Sequence, residues 1–114
     1  MLMRYYHALY VSQKLALRKT EIKHKIERGE WQLNKYLIVL TRNEQNHLEF
    51  FDSVLLLQKL FEKEDLFIVG IAEGHSGALE IIQKITEEVY RETGGTDIRN
   101  YILWKQQEYE ESSV

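Results

Sequence analysis

The chain has 114 residues and contains neither cysteine nor proline. Without cysteine, disulfides, thiolate metal centres and thiol nucleophiles are all excluded. That composition suits a reducing compartment, and a cytoplasmic location is expected. Without proline, no cis-proline can slow folding and no proline-rich linker divides the chain. No apolar run approaches the ~20 residues needed to span a bilayer, so no membrane partner is expected. Acidic residues are missing from the first 20 positions. Arg4, Lys14, Arg18 and Lys19 therefore give the start the composition of a transit peptide, although we expect this segment to be part of the fold.

What is present describes a globular protein. Apolar residues make up 44% and charged residues 29%, values that place the chain outside the disordered class. A single domain of this length buries roughly two-thirds of the surface its unfolded chain exposes, enough for one core without metal or disulfide staples. Net charge is only −3, yet it is unevenly spread. Residues 1–35 hold eight Lys and Arg against three Glu, while residues 36–114 hold seven against fifteen Asp and Glu. Two oppositely charged faces that attract each other within a fold or a dimer account for this pattern, and a nucleic-acid arm is the alternative.

Periodicity assigns the elements. From Met3 to Arg28 nothing breaks a helix, and Ala8, Val11, Leu15, Ile22 and Ile26 fall on one stripe, with Gly29 as the stop. Tyr6, Leu9, Tyr10 and Leu17 add a second apolar side, which points to a second contact surface. Tyr36–Leu40 is a short apolar run, read as a strand covered on both faces. Asn46 with Glu49 has capping-box spacing, and Phe50, Val54, Leu57 and Phe61 then predict a helix ending near Lys63. Leu66–Ala72 is a second buried strand. Ala78, Ile82, Ile85 and Val89 predict a helix from about Ser76 to Thr93, stopped at Gly94–Gly95. Thr96 is the expected N-cap of a short last helix holding Ile98, Tyr101 and Ile102, with an edge strand over 102–104 as the alternative.

The expected fold is therefore α/β in the order α-β-α-β-α-α. It comprises a long basic helix (1–29), a βαβα core with a short terminal helix (30–107) and a frayed acidic tail (108–114), all in one domain. A helical crossover would make the two strands parallel. Two parallel strands leave open edges, so the sheet is expected to be completed or covered by homodimerisation. The layout is similar to half of a Rossmann-like unit in architecture only, and no family motif is present.

Three constellations carry candidate chemistry. Gly74, His75, Ser76 and Gly77 follow a strand and open a helix, where backbone N–H groups favour a small anion or nucleotide. The spacing is neither a G-x-G-x-x-G fingerprint nor a P-loop, no lysine is nearby in sequence, and Glu73 adds a like charge to the anion. In the structural alternative, Gly74 supplies a positive φ, Gly77 allows close packing and Ser76 caps the helix. Glu44, His47, Glu73 and His75 lie in two strand-to-helix loops and form the best acid–base set, but no pair has metal-ligand spacing, so no metal or cofactor is expected. Lys14, Arg18, Lys19, Lys23 and Arg28, with Tyr5, Tyr6 and Tyr10, could meet phosphates and bases. A pI of about 5.8 counts against a dedicated nucleic-acid domain. No nucleophile–base pair names a reaction, which weighs against an enzyme. The reading placed first is a homodimeric interaction or regulatory module, ahead of small-anion binding and a nucleic-acid accessory role.

Overall fold

The computed structural model describes residues 3–28, 30, 34–40, 48–57 and 66–112. Strand β1 (Met3–Val11) leads through a 3-10 helix (Gln13–Arg18) into α1 (Lys19–Glu27). Strands β2 (Lys35–Leu40) and β3 (Leu48–Asp52) follow, then a 3-10 helix (Ser53–Leu57) and strand β4 (Leu66–Glu73). Helices α2 (Gly74–Thr93) and α3 (Ile98–Ser112) close the chain. The strands form one mixed sheet in the order β1-β4-β2-β3. Strand β1 runs parallel to β4, and β2 is antiparallel to both β4 and β3.

Two expectations are corrected here. The first concerns the N-terminal half of the helix expected over 3–28, which is strand β1. Tyr5, Leu9 and Val11 pack on one face of the sheet, and Tyr6 and Tyr10 on the other. Apolar residues that alternate between two cores look many-sided when wound onto a helix, whereas in a strand they are simply buried on both faces. Aromatic and β-branched side chains also favour a pleated surface. Tyr6, Leu9 and Tyr10 of the apolar surplus are thus taken up inside the chain, while Leu17 stays fully exposed. Only Leu15, Ile22 and Ile26 of the expected stripe are helical, and they bury under the sheet.

The second correction concerns connectivity. Residues 48–57 of the expected second helix are β3 and a 3-10 turn, so β2 and β3 form an antiparallel pair in place of a helical crossover. Leu48 and Phe50 face one core and Phe51 the other, a period-two arrangement. The strands expected to run parallel, β2 and β4, are antiparallel. The parallel partner of β4 is β1, and the sheet has four strands where two were expected.

Both faces of the sheet are covered. Leu15, Ile22 and Ile26 pack on Leu37, Val39, Leu66, Ile68 and Ile71. On the opposite face, Ala78, Ile81, Ile85 and Val89 of α2 and Ile98, Tyr101 and Ile102 of α3 pack on Tyr6, Ile38, Leu40, Phe67, Val69 and Ala72. Register shifts along β4 set this arrangement. Ile68 pairs with Val39 and Gly70 with Ile38, leaving Val69 as a bulge. Beyond the bulge the alternation changes phase, so that Ile71 joins the α1 core and Ala72 the α2 core. Gly70 sits where α2 comes closest: a Cβ there would stand 3.2 Å from Ile81 Cγ2 and 3.3 Å from the Tyr10 carbonyl oxygen.

Helix α2 ends as expected, with Gly94 in the left-handed region at φ 74° and its N–H donating to the Tyr90 carbonyl. At the start of α3 the capping side chain is Asp97, whose Oδ1 accepts from the Asn100 N–H at 3.1 Å, in place of Thr96. Residues 102–104 are helical. Helix α3 also continues through 108–112, the first part of the expected frayed tail.

Candidate functional site

Adjacent parallel strands β1 and β4 send their chains to opposite faces of the sheet. The chain leaving β1 enters the α1 layer, and the chain leaving β4 enters α2. Where neighbouring connections diverge in this way a crevice opens beyond the carboxyl ends of the strands, the usual ligand position in open α/β sheets. Here the crevice measures about 160 Å³ and is lined by Ser12, Gln13, Lys14, Glu73, Ser76, Gly77 and Glu80. A second cavity of about 350 Å³ shares Ser12, Gln13 and Glu80 and adds Val11, Ala16, Ile81 and Lys84.

Backbone hydrogen bonds build the crevice. The Ser12 N–H donates to the Ile71 carbonyl, and buried Ser12 Oγ accepts from the Glu73 N–H, each at 3.1 Å. These two bonds pin the end of β1 to the end of β4. Gly74 then turns the chain at φ 76°, and its N–H donates to the Asn34 carbonyl at 2.8 Å. The N-cap residue of α2 is Glu73, which makes no side-chain cap bond, so the expected Ser76 is not the cap. Ser76 lies instead within the first helical turn, on the crevice wall. An uncapped first turn leaves N–H donors and the positive end of a 20-residue helix beside the crevice.

The charges are mixed. Glu73 accepts from Lys35 Nζ at 3.2 Å, so its carboxylate is answered from β2. Lys14 and Glu80 make no ion pair among the described residues. The lysine that the glycine turn lacks locally is therefore brought from the 3-10 helix that follows β1, about 60 residues away. No local signal at Ser12, Gln13 or Lys14 announces that role, because it depends on the β1–β4 pairing.

His75 does not share this site. Its ring packs edge-on against Phe50 at 5.2 Å and Tyr36 at 6.1 Å, over β2 and β3. Glu73 and His75, expected to act together, thus turn to different partners. Glu44 and His47 lie outside the described residues. Among the described residues, no three histidine, aspartate or glutamate side chains converge as a metal site.

The basic set divides into paired and unpaired members. Arg18 bonds Glu21 at 3.3 Å and Lys25 bonds it at 3.0 Å, and together they hold the exposed Glu21 carboxyl down to about 2. Arg28 pairs with Glu30. Lys14, Lys19 and Lys23 make no ion pair among the described residues. Lys19 and Lys23 instead line a groove of about 350 Å³ on the outer side of β1, together with Tyr5, Tyr6, His7, Leu9, Gln106 and Tyr109. Among the described residues, no helix is long and apolar enough to cross a membrane. No family model, characterised protein or solved structure matches this chain.

Proposed function

We propose that the protein binds a small phosphate or carboxylate ligand in the crevice beyond the ends of β1 and β4. The observation that carries this reading is the uncapped start of α2 facing Ser12 and Lys14 across a polar crevice. Ser76 and the first-turn N–H groups supply donors, and Lys14 supplies the counter-charge. Gly77 lines the wall and offers no side chain, Gly74 turns the chain into α2 outside the lining, and His75 is turned away.

Volume and charge narrow the ligand class. A cavity near 160 Å³ holds a single anionic group and falls short of the ~300–1,000 Å³ typical of whole-cofactor sites. Glu80, which has no ion pair among the described residues, lines the α2 side of the same crevice and carries the charge opposite to that of Lys14. A ligand carrying its own donor, such as dihydrogen phosphate or an amino-acid zwitterion, satisfies Glu80 and Lys14 together, whereas a dianion meets repulsion.

Thermal-shift measurements with inorganic phosphate, small carboxylates and amino acids test the reading. A ligand at about 100-fold its Kd should add roughly 2.7 kcal/mol of stability, and Lys14→Gln should abolish that gain. Absence of a shift from every compound removes the proposal and leaves the crevice a packing feature.

A further inference from the structure

We infer that the groove on the outer side of β1 binds a nucleoside phosphate, either free or as a unit of a single strand. This site is separate from the crevice and stands independently of it. Three elements build it: β1 contributes Tyr5 and His7, α1 contributes Lys19 and Lys23, and α3 contributes Gln106 and Tyr109.

The groove exists because β1 is irregular. Tyr5 pairs with Ile68 and Tyr10 with Gly70, so residues 6–9 of β1 stand against Val69 alone. The surplus chain bows outward at His7 and Ala8, which are exposed. Gln106 Oε1 accepts from the His7 N–H at 2.8 Å, and Gln106 Nε2 donates to Glu110, so this glutamine holds the bow against α3. An edge whose N–H is taken by a side chain does not add another strand, which argues against a β-addition partner.

Its chemistry is that of nucleotide recognition. The His7 and Tyr109 rings are stacked, with centroids 4.6 Å apart and planes within 4° of parallel, and Tyr109 retains 51% of its exposure. They form a flat platform on which a base can extend the stack. Lys19 and Lys23 make no ion pair among the described residues, and Lys23 is held 4.4 Å from the Tyr5 ring centroid. Two unpaired ammonium groups beside an aromatic platform match a phosphate and its base. Beneath them, the buried Tyr5 hydroxyl faces the Glu27 carboxylate of α1, a like charge to any phosphate in the groove. A volume near 350 Å³ falls within the small-ligand range. The Glu110 carboxylate one turn along α3 opposes a phosphate, so binding should be moderate and sensitive to salt.

The test is fluorescence anisotropy with a fluorescein-labelled 12-mer of oligouridylate, with UMP followed in parallel by NMR shift perturbation. We expect the Lys19→Gln/Lys23→Gln double variant to weaken binding at least tenfold and Tyr109→Ala to weaken it several-fold. Circular dichroism should stay unchanged, because these side chains are at least partly exposed. Lys14→Gln should leave binding intact, which separates this site from the crevice. Two neutralised phosphates predict a slope of about −1.4 in log K against log salt for a single strand. A 12-mer that binds more tightly than UMP identifies a strand as occupant, and equal affinities identify the free nucleotide. Failure of both probes to bind overturns the inference, as does binding indifferent to Lys19, Lys23 and Tyr109. It is equally overturned if an oligoglutamate peptide competes as well as the 12-mer, since the groove would then read charge without the base.

Discussion

Gly74 carries the sharpest conformational demand at the site. With φ at 76° it occupies the left-handed region, where a Cβ costs about 1–2 kcal/mol. Gly77 is different. A Cβ there would meet Ala72 Cβ at 3.5 Å and Ser12 Cβ at 3.7 Å, ordinary contact distances, within a helix where alanine is favoured over glycine by roughly 0.5–1 kcal/mol. Urea denaturation should therefore show opposite signs: Gly74→Ala loses about 1–2 kcal/mol, and Gly77→Ala is neutral or slightly stabilising while narrowing the crevice. The positive φ of Gly74 is legible in the sequence as a glycine between a buried strand and an amphipathic helix. The near-redundancy of Gly77 is not, because it depends on how closely Ser12 approaches from β1.

Strand β4 is the element to which the others are fitted. It pairs on both sides, and its bulge at Val69 resets which residues face which core. Gly70 follows the bulge and admits α2, with Ile81, the Tyr10 carbonyl and Ile38 all within 3.4 Å of where a Cβ would stand. Gly70→Ala should cost roughly 1–3 kcal/mol through overpacking, read as a lowered urea midpoint with an unchanged slope. Both buried strands and α2 are readable from the sequence because their apolar residues follow one period or form a short continuous run, while α3 is legible only as a shorter helix with an edge strand over 102–104 as the alternative. Residues 3–11 and 48–52 are not. Tyr5 to Val11 fits a helix about as well as a two-faced strand, and Leu48 to Asp52 is short enough to be absorbed into a helical pattern that begins with plausible capping spacing. Local propensity does not separate these cases. Pairing with β4 and β2 does.

At the scale of the whole molecule, one polar cluster ties three elements together. Glu88 Oε2 on α2 accepts from the Tyr10 hydroxyl of β1 and, at 3.0 Å, from the Tyr101 hydroxyl of α3. Burial, and then the neighbouring tyrosine and glutamate, push Tyr6 up to about 12, while burial and the bond to Glu88 push Tyr101 up to about 12. Tyr10 is raised by the same two causes. A proton held more tightly in the folded state stabilises it fully below the ordinary tyrosine value near 10. That contribution is lost as pH rises from about 10 towards 12, because the unfolded chain releases its protons first. The urea midpoint should be flat from about pH 7 to 9 and fall above about 10. The Tyr10→Phe/Tyr101→Phe variant should be less stable at neutral pH but lose less as pH rises. A wild-type midpoint unchanged up to pH 12 would contradict this role for the cluster.

Composition and spacing by themselves determined an α/β protein with buried central strands, a glycine turn leading into a long amphipathic helix, and a basic N-terminal third. These features follow from local rules, namely which residues can be buried in runs, where glycine is needed and how charge is spread. Tertiary structure alone decided that β1 is a strand, that it lies parallel to β4, and hence that Ser12 and Lys14 meet Ser76 and Gly77 across a crevice. It also decided where the free cations lie: Arg18 and Arg28 pair locally with glutamates within three residues, whereas packing of α1 against β1 sets Lys23 over the Tyr5 ring. The physical reason is common to both outcomes. A site assembled from residues some 60 positions apart is specified by sheet pairing and core packing, which act between elements and leave no periodic trace within any one of them.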